Sequence, residues 1–158
     1  MTGNAENGFE LSVERYIDAP PHSVWSVWVE RLEEWFCPKP WTTEVIAMDL
    51  RPGGRTALRM RGPNGEGGDI MEGVYLEVIP GRRIVTTDAY RAGWIPQKPF
   101  MTGFWEMLPE GKGTRYRAGA WHWDEAAMQQ HDQMGFVPGW SAVADQLAAL
   151  AEAEAKGG

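Results

Sequence analysis

Residues 9–28 read FELSVERYIDAPPHSVWSVW. Phe9, Leu11, Val13 and Ile17 alternate with Glu10, Ser12, Glu14 and Tyr16, the period-two pattern of a strand with one buried face. Arg15 falls on the apolar side, which predicts either a bulge or an arginine whose head reaches outward over a buried stem. Asp18 to His22 then break the strand, because proline cannot donate to a ladder yet suits the first turn of a helix. Val24, Val27 and Trp28 follow at three- and four-residue spacing, so the stretch reads as strand, break and helix.

Outward from there, Leu32, Trp35 and Phe36 repeat the helical spacing, predicting two short helices or one bent helix that Cys37 to Pro40 stops. Strands are expected over 43–50 and 55–61 around the turn Arg51-Pro52-Gly53-Gly54, and over 69–79 and 83–90 joined by Pro80-Gly81. Two more, near 101–108 and 114–123, flank the turn residues 109–113, and 93–99 reads as a loop. Asp124 is an N-cap, Gly135 interrupts, and Pro138 opens a helix with Trp140, Val143, Ala144, Leu147 and Leu150 on one face. Helices segregated from about seven antiparallel strands make an α+β fold, without the βαβ alternation of a dinucleotide-binding sheet. One domain over residues 1–158 is expected, with 1–8 as a disordered tail.

The chain has 158 residues, 43% hydrophobic and 23% charged, enough to bury a core. Fifteen Lys and Arg against 22 Asp and Glu give a net charge of −7, which opposes attraction to nucleic acid or anionic lipid. The N-terminus lacks the order of a signal peptide, and no apolar run reaches the roughly 18 residues that span a bilayer. The single Cys37, read as a packed thiol, excludes an internal disulfide, so a cytoplasmic protein is expected.

The element order resembles the Bet v 1-like or START-like (SRPBCC) superfamily, the helix-grip fold, in which a curved antiparallel sheet wraps a long C-terminal helix. Within it the chain is similar to the group related to the C-terminal domain of the activator of the Hsp90 ATPase. The resemblance is carried by Arg15 to Pro20 with Val24-Trp25, by Arg51-Pro52-Gly53-Gly54, by the stretch Gly73 to Ile84, and by Met134-Gly135-Phe136 with Gly139-Trp140 before Leu147. It implies the fold over Leu11 to about Leu150 and leaves function open, since the superfamily includes lipid and hormone binders, cyclases and aromatases, and a co-chaperone domain.

His22, His122 and His131 have no metal-ligand spacing, no cofactor motif is present, and no GxSxG elbow surrounds any serine. The glycine-rich run 61–68 precedes a strand rather than a helix and reads as a hairpin connection. Arg51, Arg55, Arg59 and Arg61 read as a solvated sheet face. The aromatic residues are more telling. Given the helix-grip fold, Trp35, Trp41, Trp94, Phe100, Trp105, Trp121, Phe136 and Trp140 are expected to wall a cavity between the sheet and the C-terminal helix, with Arg15, Glu106 and His122 as candidate polar groups. By alternation Trp105 and Met107 share one face and Glu106 the other. The expected function is binding of a small hydrophobic or aromatic molecule rather than catalysis. The alternatives are a co-chaperone acting on an Hsp90-type partner, and a cofactor-free cyclase or hydrolase. A homodimer is compatible with these readings.

Overall fold

The computed structural model describes residues 8–157. The tail expected over residues 1–8 therefore lies, apart from Gly8, outside the described residues. The predicted alternation forms β1 (Glu10–Ile17), and Pro20 and Pro21 start α1 (Pro21–Glu30), with the Ser23 N–H donating to the Pro20 carbonyl. Next come α2 (Leu32–Trp35), β2 (Thr42–Met48), β3 (Arg55–Arg61), β4 (Gly67–Ile79) and β5 (Arg83–Thr87). The strand expected over 83–90 ends at Thr87, β6 (Tyr90–Arg91) follows, and the segment 93–99 read as a loop supplies β7 (Ile95–Pro96), which pairs with β6 in a short hairpin. Then follow β8 (Thr102–Glu110), β9 (Gly113–Trp121), α3 (Glu125–Gln133) and α4 (Phe136–Gly157). Asp124 caps α3 by accepting from the Ala127 N–H at 2.8 Å, and Gly135, at φ +94°, separates α3 from α4.

Seven strands form one antiparallel sheet in the order β1-β9-β8-β5-β4-β3-β2, with α4 laid across it, the helix-grip arrangement. No bulge accommodates Arg15: it pairs in register with Tyr116, and its guanidinium reaches out to Asp145 of α4 at 3.1 Å. The turn Arg51–Gly54 seats itself on β4, where the Gly53 N–H donates to the Tyr75 carbonyl and the Tyr75 N–H to the Gly54 carbonyl. A side chain on Gly54 would overlap the backbone oxygens of Asp49 and Arg51, so this motif needs glycine for close approach. Tyr75 is thereby held beside a register shift in β4 with its ring on the helix-facing side.

The space between α4 and the sheet is a wedge. Toward the C-terminal half the helix presents Ala144, Ala148 and Ala151, all buried, against a sheet whose β9 contributes Ala118 and Ala120. Small residues on both sides let backbones approach closely. At the other end Trp140 lies flat on Trp105, ring centroids 5.8 Å apart and planes 12° apart, with Phe136 stacked behind it at 4.5 Å. These rings prop the helix away from β3, β4 and β5, and the cavity described below opens there.

On the opposite face of the sheet, Glu10, Arg117, Glu106, Arg83 and Glu77 form an unbroken chain of ion pairs across five strands. Arg117 pairs with both Glu10 and Glu106 and stacks 4.6 Å from the Phe104 ring. The Glu10 side chain is only 4% exposed, so removing its partner leaves a poorly hydrated carboxylate. Arg117→Met is expected to cost about 2 kcal/mol, less than the 3–5 of a fully buried pair because Arg117 keeps some solvent contact. Urea unfolding measures this, and an unchanged midpoint would show that the ladder adds nothing. Three of the four arginines in 51–61 also find acids across the turn or on neighbouring strands: Arg51 with Asp49, Arg55 with Glu72 and Arg59 with Glu44. Among the described residues no helix is long and apolar enough to cross a membrane.

Candidate ligand-binding cavity

Between the propped end of α4 and the concave face of the sheet lies a cavity of about 650 Å³, the size range of sites for small organic ligands. Its closed end is aromatic. Trp28 of α1 packs against Trp35 of α2 at 5.6 Å and edge-on to Trp105 at 5.4 Å, while Phe36 meets Trp35 at 5.4 Å and Trp105 at 6.2 Å. The floor is Leu58 and Tyr75 from the sheet, and methionines Met60, Met71 and Met101 add adaptable thioether surface.

Two polar devices hold the walls. Gln146 of α4 donates through Nε2 to the carbonyls of Trp35 and Cys37, at 3.0 and 2.9 Å, and accepts the Lys39 N–H at 3.0 Å, which fastens the end of α2 to the long helix. Asp88 accepts the backbone N–H groups of Phe100 and Met101, at 2.8 and 3.2 Å, which fixes the strap that brings Phe100 to the cavity wall. Burial holds the Asp88 carboxyl above the usual carboxylate range, although these N–H bonds oppose the shift. Cys37 lines the same wall. Its thiol accepts from Thr43 Oγ1 at 3.0 Å, and burial raises its pKa, which keeps it in the unreactive thiol form.

His131 completes the lining, packed between Phe100 at 4.8 Å and Phe136 at 4.9 Å. Its Nδ1 lies 2.8 Å from Nε2 of His122, whose own Nδ1 lies 2.8 Å from the Phe9 carbonyl oxygen. A carbonyl only accepts, so His122 Nδ1 carries hydrogen. In the neutral pair the shared hydrogen then sits on His131 Nδ1, leaving His131 Nε2 as an acceptor. Burial, reinforced by His122 and opposed by Asp132, lowers the His131 pKa to about 4.

A family model described as "Activator of Hsp90 ATPase homolog 1-like protein" matches residues 18–152. The chain belongs to this family. A crystal structure of a Nitrosomonas europaea protein is 35% identical, covers 96% of this chain and 98% of its own, and superimposes with a TM-score of 0.87. A Mycobacterium smegmatis protein, 24% identical over 94% of this chain and 93% of its own, gives 0.74. The AHSA1-like protein of Aeromonas hydrophila, 18% identical over 92% and 93%, gives 0.64 and speaks for the fold alone. No curated protein matches the chain.

On this Hsp90-activator-like framework Trp35, Phe100, Trp105 and Trp140 line the cavity, and Phe136 backs Trp140 one layer behind it. The other aromatic expectations are corrected. Trp41 covers the glycines of the β3–β4 connection, its ring touching the positions where Gly62 and Gly67 lack side chains. Trp94 is 60% exposed, sits at φ +63° and rests over Gly53 with Tyr90 edge-on at 5.9 Å. Trp121 lies on the outer face, stacked on Phe104 at 4.5 Å and donating its indole N–H to Glu10 at 2.9 Å.

None of the three candidate polar groups reaches the cavity. Arg15 ends on Asp145 at the edge of the helix, and Glu106 faces outward between Arg83 and Arg117. His122 is buried but stands behind His131, both of its ring nitrogens engaged. Reading the sequence alone does not single out His131 for the lining or Gln146 for the fastening of α2. Trp28 shares the helical spacing of Val24 and Val27, which reads as packing, and His131 has no neighbour in sequence that marks it.

Proposed function

We propose that the protein binds a small hydrophobic or aromatic molecule in the cavity between the sheet and α4. The observation that supports this most is the aromatic enclosure itself: Trp28, Trp35, Phe36, Trp105 and Trp140 stand around the cavity without filling it. Removing apolar surface from water contributes about 25 cal/mol per Å², so a ligand burying about 300 Å² on these rings gains about 7 kcal/mol before the costs of association. The few polar groups on the wall set orientation. His131 offers an acceptor, while Lys98 and Gln97 are on the same lining beside the strap.

Intrinsic tryptophan fluorescence, titrated with a panel of fatty acids, polycyclic aromatics and polyketide-like phenols, tests the proposal. The expected result is saturable change with at least one aromatic class. Trp140→Ala is expected to weaken that binding about tenfold, equivalent to about 1.4 kcal/mol, because it removes one of two stacked faces. A panel without a saturable response, or a Trp140→Ala variant of unchanged affinity, would count against the cavity as the site.

A further inference from the structure

We propose that the bound molecule carries a neutral hydroxyl on its apolar ring system, as a phenol or a naphthol does, and that this hydroxyl donates its hydrogen to Nε2 of His131. The inference rests on the reading of the cavity as a ligand site. His131 is 8% exposed, lines the cavity, and is packed among Phe100, Phe136 and Trp140 at 4.8, 4.9 and 6.3 Å. Its Nδ1 hydrogen is spent on His122, because the Phe9 carbonyl holds the hydrogen of His122 on Nδ1 and leaves His122 Nε2 as the acceptor. His131 Nε2 is therefore a lone pair without a donor. No described residue hydrogen-bonds to it, and it is not sealed from the surface as the Trp28 and Trp35 indole nitrogens are. Burial, reinforced by His122, keeps the ring neutral, so this nitrogen accepts. Buried polar groups are ordinarily paired, and a ligand that brings a hydrogen to this one gains a bond that a hydrocarbon does not.

The other polar side chains on the lining either have partners, ask for the same kind of ligand, or make no demand. The hydroxyls of Tyr75 and Thr56 bond each other, Thr87 meets Thr102, and both Glu72 oxygens hold Arg55. Asp88 spends one oxygen on Phe100 and Met101, and Gln97 donates to the Glu72 carbonyl, so each keeps an acceptor oxygen free. The Thr86 hydroxyl serves either way. Lys98 is the only lysine or arginine on the lining among the described residues, but it is exposed, so its ammonium stays hydrated and needs no ligand. A ketone or an ether brings His131 no hydrogen. A carboxylate would shed its hydration among aromatic rings to face a lone pair, and an ammonium would donate only after losing far more hydration than a neutral group. A hydroxyl supplies the hydrogen at the lowest desolvation cost.

Naphthalene, 2-methoxynaphthalene and 2-naphthol share one ring system; the second adds an oxygen that only accepts, the third a hydroxyl that donates. Titration of the protein, nitrogen-15-labelled at its histidines, with each of them tests the proposal by NMR. The expected result is about tenfold tighter binding of 2-naphthol than of either other compound, the size of one added hydrogen bond, with the His131 Nε2 resonance moving upfield for 2-naphthol alone. His131→Phe should remove most of that preference and Lys98→Met should leave it intact; if His131→Phe fails to fold, the Nε2 resonance of the unaltered protein decides alone. Equal affinities for 2-naphthol and 2-methoxynaphthalene with an unmoved Nε2 resonance would overturn the hydroxyl assignment while leaving the cavity as a binding site. Tighter binding of 2-naphthoate than of 2-naphthol, abolished by Lys98→Met, would assign the recognition to the ammonium and overturn it likewise. Binding of none of these compounds up to its solubility would overturn the cavity reading and this inference with it.

Discussion

Trp105→Ala is expected to lower the free energy of unfolding by about 3–5 kcal/mol, the range for truncating a large buried aromatic. Trp105 meets three other rings from three different helices: Trp28 of α1, Trp140 of α4 and Phe36 at the end of α2. Its removal takes away both the area those contacts bury and the prop that sets the height of α4 above the sheet. The space left behind joins a cavity that is already present, so the helix has little to collapse onto and relaxation recovers little. For a chain of this length each kcal/mol shifts the melting temperature by about 2–4 °C, so a drop of about 10 °C is expected. Trp105→Phe keeps a ring against Trp28 and should recover about half of the loss. A melting temperature within about 2 °C of the unaltered protein for Trp105→Ala would mean that α4 is held by its alanine-rich half alone.

Much of this architecture is readable in the residues. Alternation over β1, the Pro20-Pro21 break and the stripe Trp140, Val143, Ala144 and Leu147 are local patterns, and each element they predict is present. Alternation also separates Trp105 and Met107 from Glu106, because side-chain direction in a strand has a strict period of two. What alternation does not supply is which parity of a strand faces inward. On β9 the inward set is Tyr116, Ala118 and Ala120, chosen by the close approach of the helix, and that choice sends Trp121 outward, onto Phe104 and Glu10. Trp41 and Trp94 escape for another reason. Each is placed by a glycine on a different turn, a pairing across the fold that leaves no periodic trace. Gln146 is similar: a polar residue on the last helix that no local pattern singles out, yet it holds the carbonyls at the end of α2.

The pH dependence of stability is expected to carry the signature of His131. An unfolded histidine titrates near 6.5, whereas in the fold burial, with His122 nearby, keeps His131 neutral down to about 4. Between these two values the unfolded chain binds a proton that the folded chain refuses. The unfolded state then holds more protons, so stability rises with pH in this window and is lost as pH falls from 6.5 toward 4. A separation of this size corresponds to a loss of about 3 kcal/mol at the acid end, at 1.36 kcal/mol per unit, with no contribution above neutral pH. Asp132 moderates the shift. His131→Gln retains an amide able to donate to His122 Nε2 but does not titrate. Its stability relative to the unaltered protein should therefore improve by about 3 kcal/mol between pH 7 and pH 4, with the carboxylates common to both chains cancelling in the comparison. Urea unfolding at pH 7, 5.5 and 4.5, together with the NMR titration of the His131 ring, measures both halves of the argument. Parallel pH profiles for the two proteins, or a His131 ring that titrates above pH 6, would show that water reaches this imidazole freely, and that the wall of the cavity beside Phe100 and Phe136 is wetter than its packing implies.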